Sequence, residues 1–344
     1  MIRAAMFDAK SFDKESFSRF APQAGIEIKY YETKLNEDTA DLARGYDVVI
    51  TFVNDVLSGE VIQKLYESGV KLLALRCAGF NNVDVRAAYG KIHIARVPAY
   101  SPHAVAEHAM AMLLTSVRRI HKAYIRTKDF NFSLSGLTGF DLFGKTMGVI
   151  GTGKIGRCFI DICKGFGMHV LAYDPFPAQE GDICYVPLKE LFQKSDIISL
   201  HCPLTPETDH IIDADSMRLM KKGVFLINTS RGALIDAEAL LEAIKARHVG
   251  AACLDVYEEE SDLFFEDFSG HIVEDDTLAR LITMPNVLIT SHQAFLTEEA
   301  LSNIAQTTVQ NITDFFLKGE IPNEICYQCE QKEQCRKKRS QKCF

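Results

Sequence analysis

The sequence predicts an α/β protein of two doubly wound parallel-sheet domains, and three observations carry that expectation. The chain has 344 residues, too many for one ordinary domain and suited to two. In both halves, short apolar runs rich in branched residues alternate with segments of helical spacing, as buried parallel strands and their covering helices must. Near the middle, the glycine-rich stretch GVIGTGKIG, Gly148 to Gly156, joins a strand-like run to a helix, with a long α/β stretch before it. Such alternation implies right-handed crossovers and sheets covered on both faces.

In the first hundred residues the expected strands are IRAAMFDA, IEIKYYE, DVVITFV, KLLALRCA and IHIARVP. FDKESFSRFA, NEDTADLARG, SGEVIQKLYESG and VDVRAAYG read as the helices between them, with Asn or Ser at plausible N-caps. From Ser101, SPHAVAEHAMAMLLTSVRRIHKAYIRTKDF reads as one long helix connecting two domains, with proline at the first helical position after a serine cap. Beyond NFSLSGLTGFDLFGKT a second alternation begins, with strands MGVIG, HVLAYD, IISLHC, VFLINT, AACLDV and NVLITS. FLTEEALSNIAQTTVQNITDFFLKGE then reads as a long amphipathic helix before a polar, cysteine-rich tail.

Composition removes several classes of function. Apolar residues make up 47% of the chain and are spread throughout, enough for sizeable cores. A net charge of -8 argues against a general nucleic-acid binder, which needs a basic field. No run of about 18 apolar residues occurs, and MIRAAMFDAK lacks the charged-then-apolar layout of a signal peptide. A cytoplasmic protein without membrane contact is therefore expected. Of the ten cysteines, six are scattered in runs such as ALRCAG and AACLDV and read as small buried thiols of a reducing compartment.

The glycine loop implies a dinucleotide. Gly151 permits the tight turn, Gly153 lets a pyrophosphate approach the backbone, and Gly156 packs helix against strand. Phosphate charge would meet the free N–H groups and positive dipole at the start of the helix Lys154 to Phe166. The next strand, HVLAYD, ends in Asp174, whose carboxylate can accept from ribose hydroxyls and would repel a 2′-phosphate; NAD is expected rather than NADP.

Ligands of a doubly wound sheet bind outside the carboxyl ends of the strands. The residues there are Asp174 after HVLAY, His201, Cys202 and Pro203 after IISL, Asn228, Thr229, Ser230 and Arg231 after VFLI, Asp255 after AACL, and His292 after NVLITS. Arg231 can hold a carboxylate or keto oxygen in a two-pronged contact with its charge fixed. His292 can give a proton to a developing alkoxide or take one from an alcohol. Hydride from NADH with a proton from His292 would reduce a 2-keto acid to a 2-hydroxy acid. A carboxylate at the other ring nitrogen would favour that acid form, and DVYEEE offers Glu258, Glu259 or Glu260. His103 and His108 read as packing residues of the connecting helix, His201 as structural, and His169, His210, His248 and His271 as surface or turn residues. No catalytic metal is expected, since Arg231 can polarise the carbonyl.

With these residues in place the chain resembles the D-2-hydroxyacid dehydrogenase family, and within it the bacterial NAD-dependent fermentative D-lactate dehydrogenases. The likeness runs from about residue 1 to about 325 through RCAGFNNVD, VPAYSPHAVAEHAMAML, NFSLSGLTGFDLFGKTMGVIGTGKIG, SLHCPLTPET, NTSRGALID, DVYEEE and SHQAFLTEEA. It implies a flavodoxin-like substrate domain from residues 1–100 plus 296–330, a Rossmann NAD-binding domain at 101–295 inserted within it, a cleft between them, and a tail at 331–344. It places the catalytic arginine on Arg231, the acid–base histidine on His292 and its partner on Glu260. The backbone of Ala78, Gly79 and Phe80 and the Tyr100 hydroxyl would face the substrate carboxylate, and Phe295 would wall the side-chain pocket. Gly151, Gly153, Lys154, Ile155, Gly156, Asp174, Cys202, Pro203, Thr229, Ser230 and Asp255 would bind NAD.

The implied activity is reduction of pyruvate to D-lactate. The alternatives are a dehydrogenase for branched-chain or aromatic 2-keto acids and, more distantly, an NAD(H)-sensing protein of the corepressor kind. The apolar connecting helix suggests a homodimer or higher homo-oligomer. In the tail, Cys326, Cys329, Cys335 and Cys343 leave gaps of two, five and seven residues; only the first gap has a chelating spacing, so a flexible or surface-docked tail is expected rather than a metal site.

Overall fold

The structure, a computed structural model, describes residues 1–178, 181–260, 263–328 and 343. Of the tail cysteines, Cys329 and Cys335 lie outside the described residues. Backbone contacts divide the chain into two compact units, residues 1–101 with 296–344, and residues 102–295.

In the first unit five strands form one parallel sheet: β1 (Ile2–Met6), β2 (Ile26–Tyr30), β3 (Val48–Thr51), β4 (Leu72–Leu75) and β5 (His93–Ala95), in the order β2-β1-β3-β4-β5. Strands β3 and β4 are buried at every position, which is why they read VVIT and LLAL rather than alternating apolar with polar residues. Helices α1 (Ser11–Phe20), α2 (Gly59–Glu67) and α3 (Val85–Ala88) cross between strands. The Ser58 hydroxyl caps α2 by accepting from the Val61 N–H. NEDTADLARG forms only a 3-10 turn, Ala40–Ala43, instead of a helix. There the Asn36 side chain accepts from the Asp38 and Thr39 N–H groups, a local arrangement that competes with the helical ladder.

The second unit opens with the connecting segment, which is two helices rather than one. The first, α4 (Pro102–Arg118), stops where Arg119 adopts a left-handed φ of 50°, and α5 (Ile120–Lys128) follows. Beyond them lie β6 (Thr146–Ile150), α6 (Lys154–Gly165), β7 (His169–Tyr173), β8 (Cys184–Tyr185), α7 (Leu188–Lys194), β9 (Ile197–Leu200), α8 (Ala214–Leu219), β10 (Val224–Asn228), α9 (Ala237–Lys245), β11 (Val249–Leu254), α10 (Asp276–Thr283) and β12 (Val287–Ile289). The strands form a seven-stranded parallel sheet in the order β12-β11-β10-β9-β6-β7-β8. The two-residue β8 is too short to leave a pattern in the sequence. Strand order reverses between β6 and β9, which puts the ligand crevice of this unit at their carboxyl ends.

One apolar cluster of this sheet includes Phe159, Met147 and Val149 with Leu113 and Val117 of α4, and another includes Leu226, Leu240 and Leu281. After Phe295 the chain rejoins the first unit through α11 (Glu298–Thr313), capped by the Thr297 hydroxyl. Its Ala305, Val309 and Ile312 share a core with Met6, Ile50 and Leu72. Among the described residues no helix is long and apolar enough to cross a membrane.

The scattered cysteines are not uniformly buried: Cys77, Cys163, Cys202 and Cys253 are, but Cys158 is half-buried and Cys184 exposed at the edge strand β8. At the C-terminus Cys326 and Cys343 are buried, and the Cys343 N–H donates to the Glu324 carboxylate at 2.6 Å. That position is docked into its unit.

Candidate active site

The glycine turn is built as a phosphate cradle requires. Gly151 has φ +94°, and a Cβ there would lie 2.6 Å from the main chain of His201 and Cys202, so only glycine fits. Gly153 caps α6 with open space where a Cβ would project, and Gly156 is buried in the first turn after Lys154 and Ile155. At the end of β7, Asp174 Oδ2 accepts from the Thr152 N–H at 2.8 Å and the Thr152 hydroxyl at 2.9 Å, and Oδ1 accepts from the Phe176 N–H at 2.9 Å. The carboxylate is thus fixed beside the glycine turn.

At the exits of β9 and β10 the main chains are tied together. The Ser230 hydroxyl donates to the Cys202 carbonyl at 2.6 Å, and Ser230 N–H donates to Asn228 Oδ1 at 3.0 Å. Burial pushes the Cys202 thiol up to about 11, the state of a packing residue rather than a nucleophile. The neighbouring Pro203 carbonyl accepts from the Thr208 hydroxyl. His201, packed on the Phe159 ring, is pushed by burial down to about 3 and is therefore neutral. The Thr229 hydroxyl is buried and finds no partner among the described residues. An open glycine cradle, a helix start and an unsatisfied hydroxyl on one crevice fit a bound dinucleotide.

The three groups with acid–base or charge chemistry come from three strand exits. Gly232, next to Arg231, passes so close to Tyr257 and Glu258 that a Cβ would lie 2.0 Å from the Tyr257 carbonyl. That contact brings the Arg231 loop alongside the segment carrying the glutamates. Arg231 Nη1 donates to the Ser230 carbonyl at 2.6 Å, and the Arg231 carbonyl accepts from Asn228 Nδ2 at 2.8 Å. The glutamates separate by partner. Glu258 takes His210 Nε2 at 2.6 Å, whereas Glu260 Oε1 lies 2.8 Å from His292 Nδ1 and its Oε2 accepts from the Tyr257 N–H at 3.0 Å. The Glu258 hydrogen bond shifts His210 above the usual histidine range.

His292 sits in a left-handed backbone conformation, φ 51°, and the loop around it is held by Asp255. The Asp255 carbonyl accepts from the His292 N–H at 2.7 Å, and its fully buried carboxylate accepts from the N–H groups of Gln293 and Ala294 and from the Thr290 hydroxyl. His108 Nε2 lies 3.2 Å from the same carboxylate. Asp255 is thus a buried clamp on the histidine loop. The ring of Phe265 stands 5.8 Å from that of His292, and Phe295 is buried just after the loop. Thr290, His108 and Phe265 carried no sequence signal, since each is an ordinary residue of its element until the loop is folded over it.

In the first unit, Ala78, Gly79 and Phe80 follow β4 as a half-buried loop. Arg96 Nη1 donates to the Ala78 carbonyl at 2.7 Å. Tyr100 presents its carbonyl to Asn303 Nδ2 at 2.7 Å, a bond that fastens it to α11. Among the described residues no group of three His, Cys, Asp or Glu side chains is arranged to hold a metal ion.

Comparison with known proteins establishes the family. The family of D-isomer specific 2-hydroxyacid dehydrogenase NAD binding domains matches residues 110–294. The D-lactate dehydrogenase of Escherichia coli is 51% identical over 328 residues, 94% of this chain and 100% of that one. The solved pyruvate reductase of Chlamydomonas reinhardtii superposes with a TM-score of 0.88 at 45% identity, covering 94% of this chain and 98% of its own. The D-lactate dehydrogenase of Aquifex aeolicus, solved with NAD and lactic acid, gives a TM-score of 0.80 at 34% identity over 92% of this chain and 96% of its own. The chain belongs to the D-isomer specific 2-hydroxyacid dehydrogenase family. It is an NAD-dependent oxidoreductase acting on the CH–OH group of D-2-hydroxy acids.

Proposed function

We propose that the enzyme reduces pyruvate to D-lactate, with Arg231, Glu260 and His292 as its catalytic residues. The observation that carries this reading is the 2.8 Å contact between His292 Nδ1 and Glu260 Oε1. With Nδ1 held by a carboxylate, Nε2 is the nitrogen that carries the transferable proton. NADH, when bound, supplies the hydride to the carbonyl carbon. His292 Nε2 delivers the proton to the resulting alkoxide oxygen, and Glu260 stabilises and orients the imidazolium from which it comes. The Arg231 guanidinium binds the keto acid's carboxylate and polarises its carbonyl, which removes the need for a metal. Gly151, Gly153, Lys154, Ile155, Gly156, Asp174, Cys202, Pro203, Thr229 and Ser230 hold the dinucleotide, and Asp255 acts there through the main chain it clamps. The amides of Ala78, Gly79 and Phe80 and the Tyr100 hydroxyl bind the substrate carboxylate, and Phe295 limits the side-chain pocket.

We also infer that the chain works in the cytoplasm as a homo-oligomer. Between residues 120 and 143, Ile120, Tyr124, Ile125, Phe130, Phe132, Leu134 and Phe143 are between 53% and 84% exposed. Apolar surface concentrated in so short a stretch is characteristic of an interface, and a second copy of this chain is the occupant proposed.

The test is NADH oxidation by the purified protein against 2-keto acids from pyruvate to phenylpyruvate. Fast turnover of pyruvate with weak rates for bulky acids supports the reading. The reverse order moves the substrate to branched-chain or aromatic keto acids, and NADH binding without turnover of any of them overturns the enzymatic reading in favour of an NAD(H)-sensing protein.

A further inference from the structure

The loop after β4 has an unusual hydrogen-bond balance. Its carbonyls are all engaged: Cys77 accepts from the Val97 N–H at 3.1 Å, Ala78 from Arg96 Nη1 at 2.7 Å, Gly79 from the Cys77 thiol at 3.2 Å, and Phe80 from the Val83 N–H at 3.1 Å. The N–H groups of Ala78, Gly79, Phe80 and Asn81 find no acceptor among the described residues. Each peptide unit is planar and trans, so a held carbonyl fixes the direction of the N–H that follows it. Four successive carbonyls tied back therefore leave four successive amides unpaired, donors open to a carboxylate.

Three of the four carbonyls are held by groups adjoining the loop or paired along the sheet. The exception is Ala78, whose carbonyl depends on a side chain from the residue after β5. The same guanidinium lies over the Phe80 ring, 5.3 Å from its centroid, so one side chain grips the loop at two points. Arg96 is itself anchored, because its N–H donates to the Asn323 carbonyl at 3.1 Å and its carbonyl accepts from Asn311 Nδ2 at 3.0 Å. On the far side of the loop, Asn82 Nδ2 donates to the carbonyls of Phe52 and Asp55 at 3.0 and 2.8 Å. The loop is thus pinned at both ends, with the Arg96 contact setting the Ala78–Gly79 peptide plane.

We propose that Arg96 is a positioning residue for substrate binding and selectivity: it orients the Gly79 N–H toward the keto acid's carboxylate and fixes the Phe80 ring, which meets the keto acid's own side chain. This rests on the reading that the loop receives the substrate carboxylate. A planar guanidinium can donate to a carbonyl and cover a ring face together; an ammonium can do only the first well.

Arg96→Ala and Arg96→Lys are compared with the wild-type chain in steady-state reduction of pyruvate and of phenylpyruvate, with NADH affinity measured by fluorescence. For Arg96→Ala, KM for pyruvate rises about tenfold, kcat stays within about twofold, and NADH affinity is unchanged. The preference for pyruvate over phenylpyruvate falls, because the Phe80 ring is released. Arg96→Lys recovers part of the KM but not the preference. Should Arg96→Ala fail to fold, the preference in Arg96→Lys decides the matter. Unchanged KM and unchanged preference in an active enzyme overturn the positioning role alone. A wild-type chain that turns over no keto acid overturns the underlying reading as well.

Discussion

His292 Nδ1 and Glu260 Oε1 are 2.8 Å apart although 32 residues separate them in the chain, and each is locked by a second contact. The other Glu260 oxygen accepts from the Tyr257 N–H, and the main chain of His292 hangs from the Asp255 carbonyl. The imidazole is therefore oriented from both its ring and its backbone.

Replacing His292 with Ala is expected to reduce kcat by roughly 10²- to 10⁴-fold, the usual worth of a positioned acid. NADH binding, followed by fluorescence, should persist. Near-normal turnover would remove His292 from proton transfer.

Asp255→Asn tests the clamp. The carboxylate serves two N–H groups and a hydroxyl while fully buried, and an amide cannot accept at both positions. A stability loss of about 1–3 kcal/mol is expected together with reduced kcat, read from thermal melts and initial rates. Wild-type melting and kcat would show that the loop holds itself.

Asp174→Ala is expected to lower the ratio of kcat/KM for NADH over NADPH by about tenfold or more, since the group that repels a 2′-phosphate is gone. An unchanged ratio would assign cofactor choice elsewhere.

Asp55 links the first unit to pH. Burial raises its carboxyl to about 7, against hydrogen bonds from the Leu35 and Phe52 N–H groups that lower it. A folded-state value above the unfolded one means that its contribution to stability is full below about pH 4 and is lost as pH rises through about 7. The span is worth about 4 kcal/mol as an upper bound. The melting-temperature advantage of wild type over Asp55→Asn should therefore shrink between pH 4 and pH 7, and a constant difference would refute the assignment.

If the apolar surface between residues 120 and 143 joins two copies, Phe130→Ser combined with Phe132→Ser should lower the solution mass measured by light scattering. An equal mass for variant and wild type would place the interface elsewhere or nowhere.

Much of this was legible in the chain. Fully buried parallel strands must be written in branched apolar residues, so the strand runs and the glycine turn announced two α/β halves. Legibility failed where local rules compete. Arg119 turns left-handed inside a helical pattern, Asn36 diverts a helix into a turn, and β8 is too short to have a period. The site was legible as chemistry, and its partnership only through the family resemblance. Local rules leave Glu258 and Glu260 alike; the resemblance assigned Glu260 to His292, and the fold alone gives Glu258 to His210.

The sequence by itself determined the elements, the dinucleotide turn and the supply of an arginine, histidine and glutamates at strand exits, because backbone propensity and burial act over a few neighbouring residues. The tertiary structure alone decided that Asp255 clamps the histidine loop and that Arg96 holds Ala78. Those contacts join residues 18 to 39 positions apart. Their distances and directions are set by how strands pair and helices pack, a relation that no local stretch of chain contains.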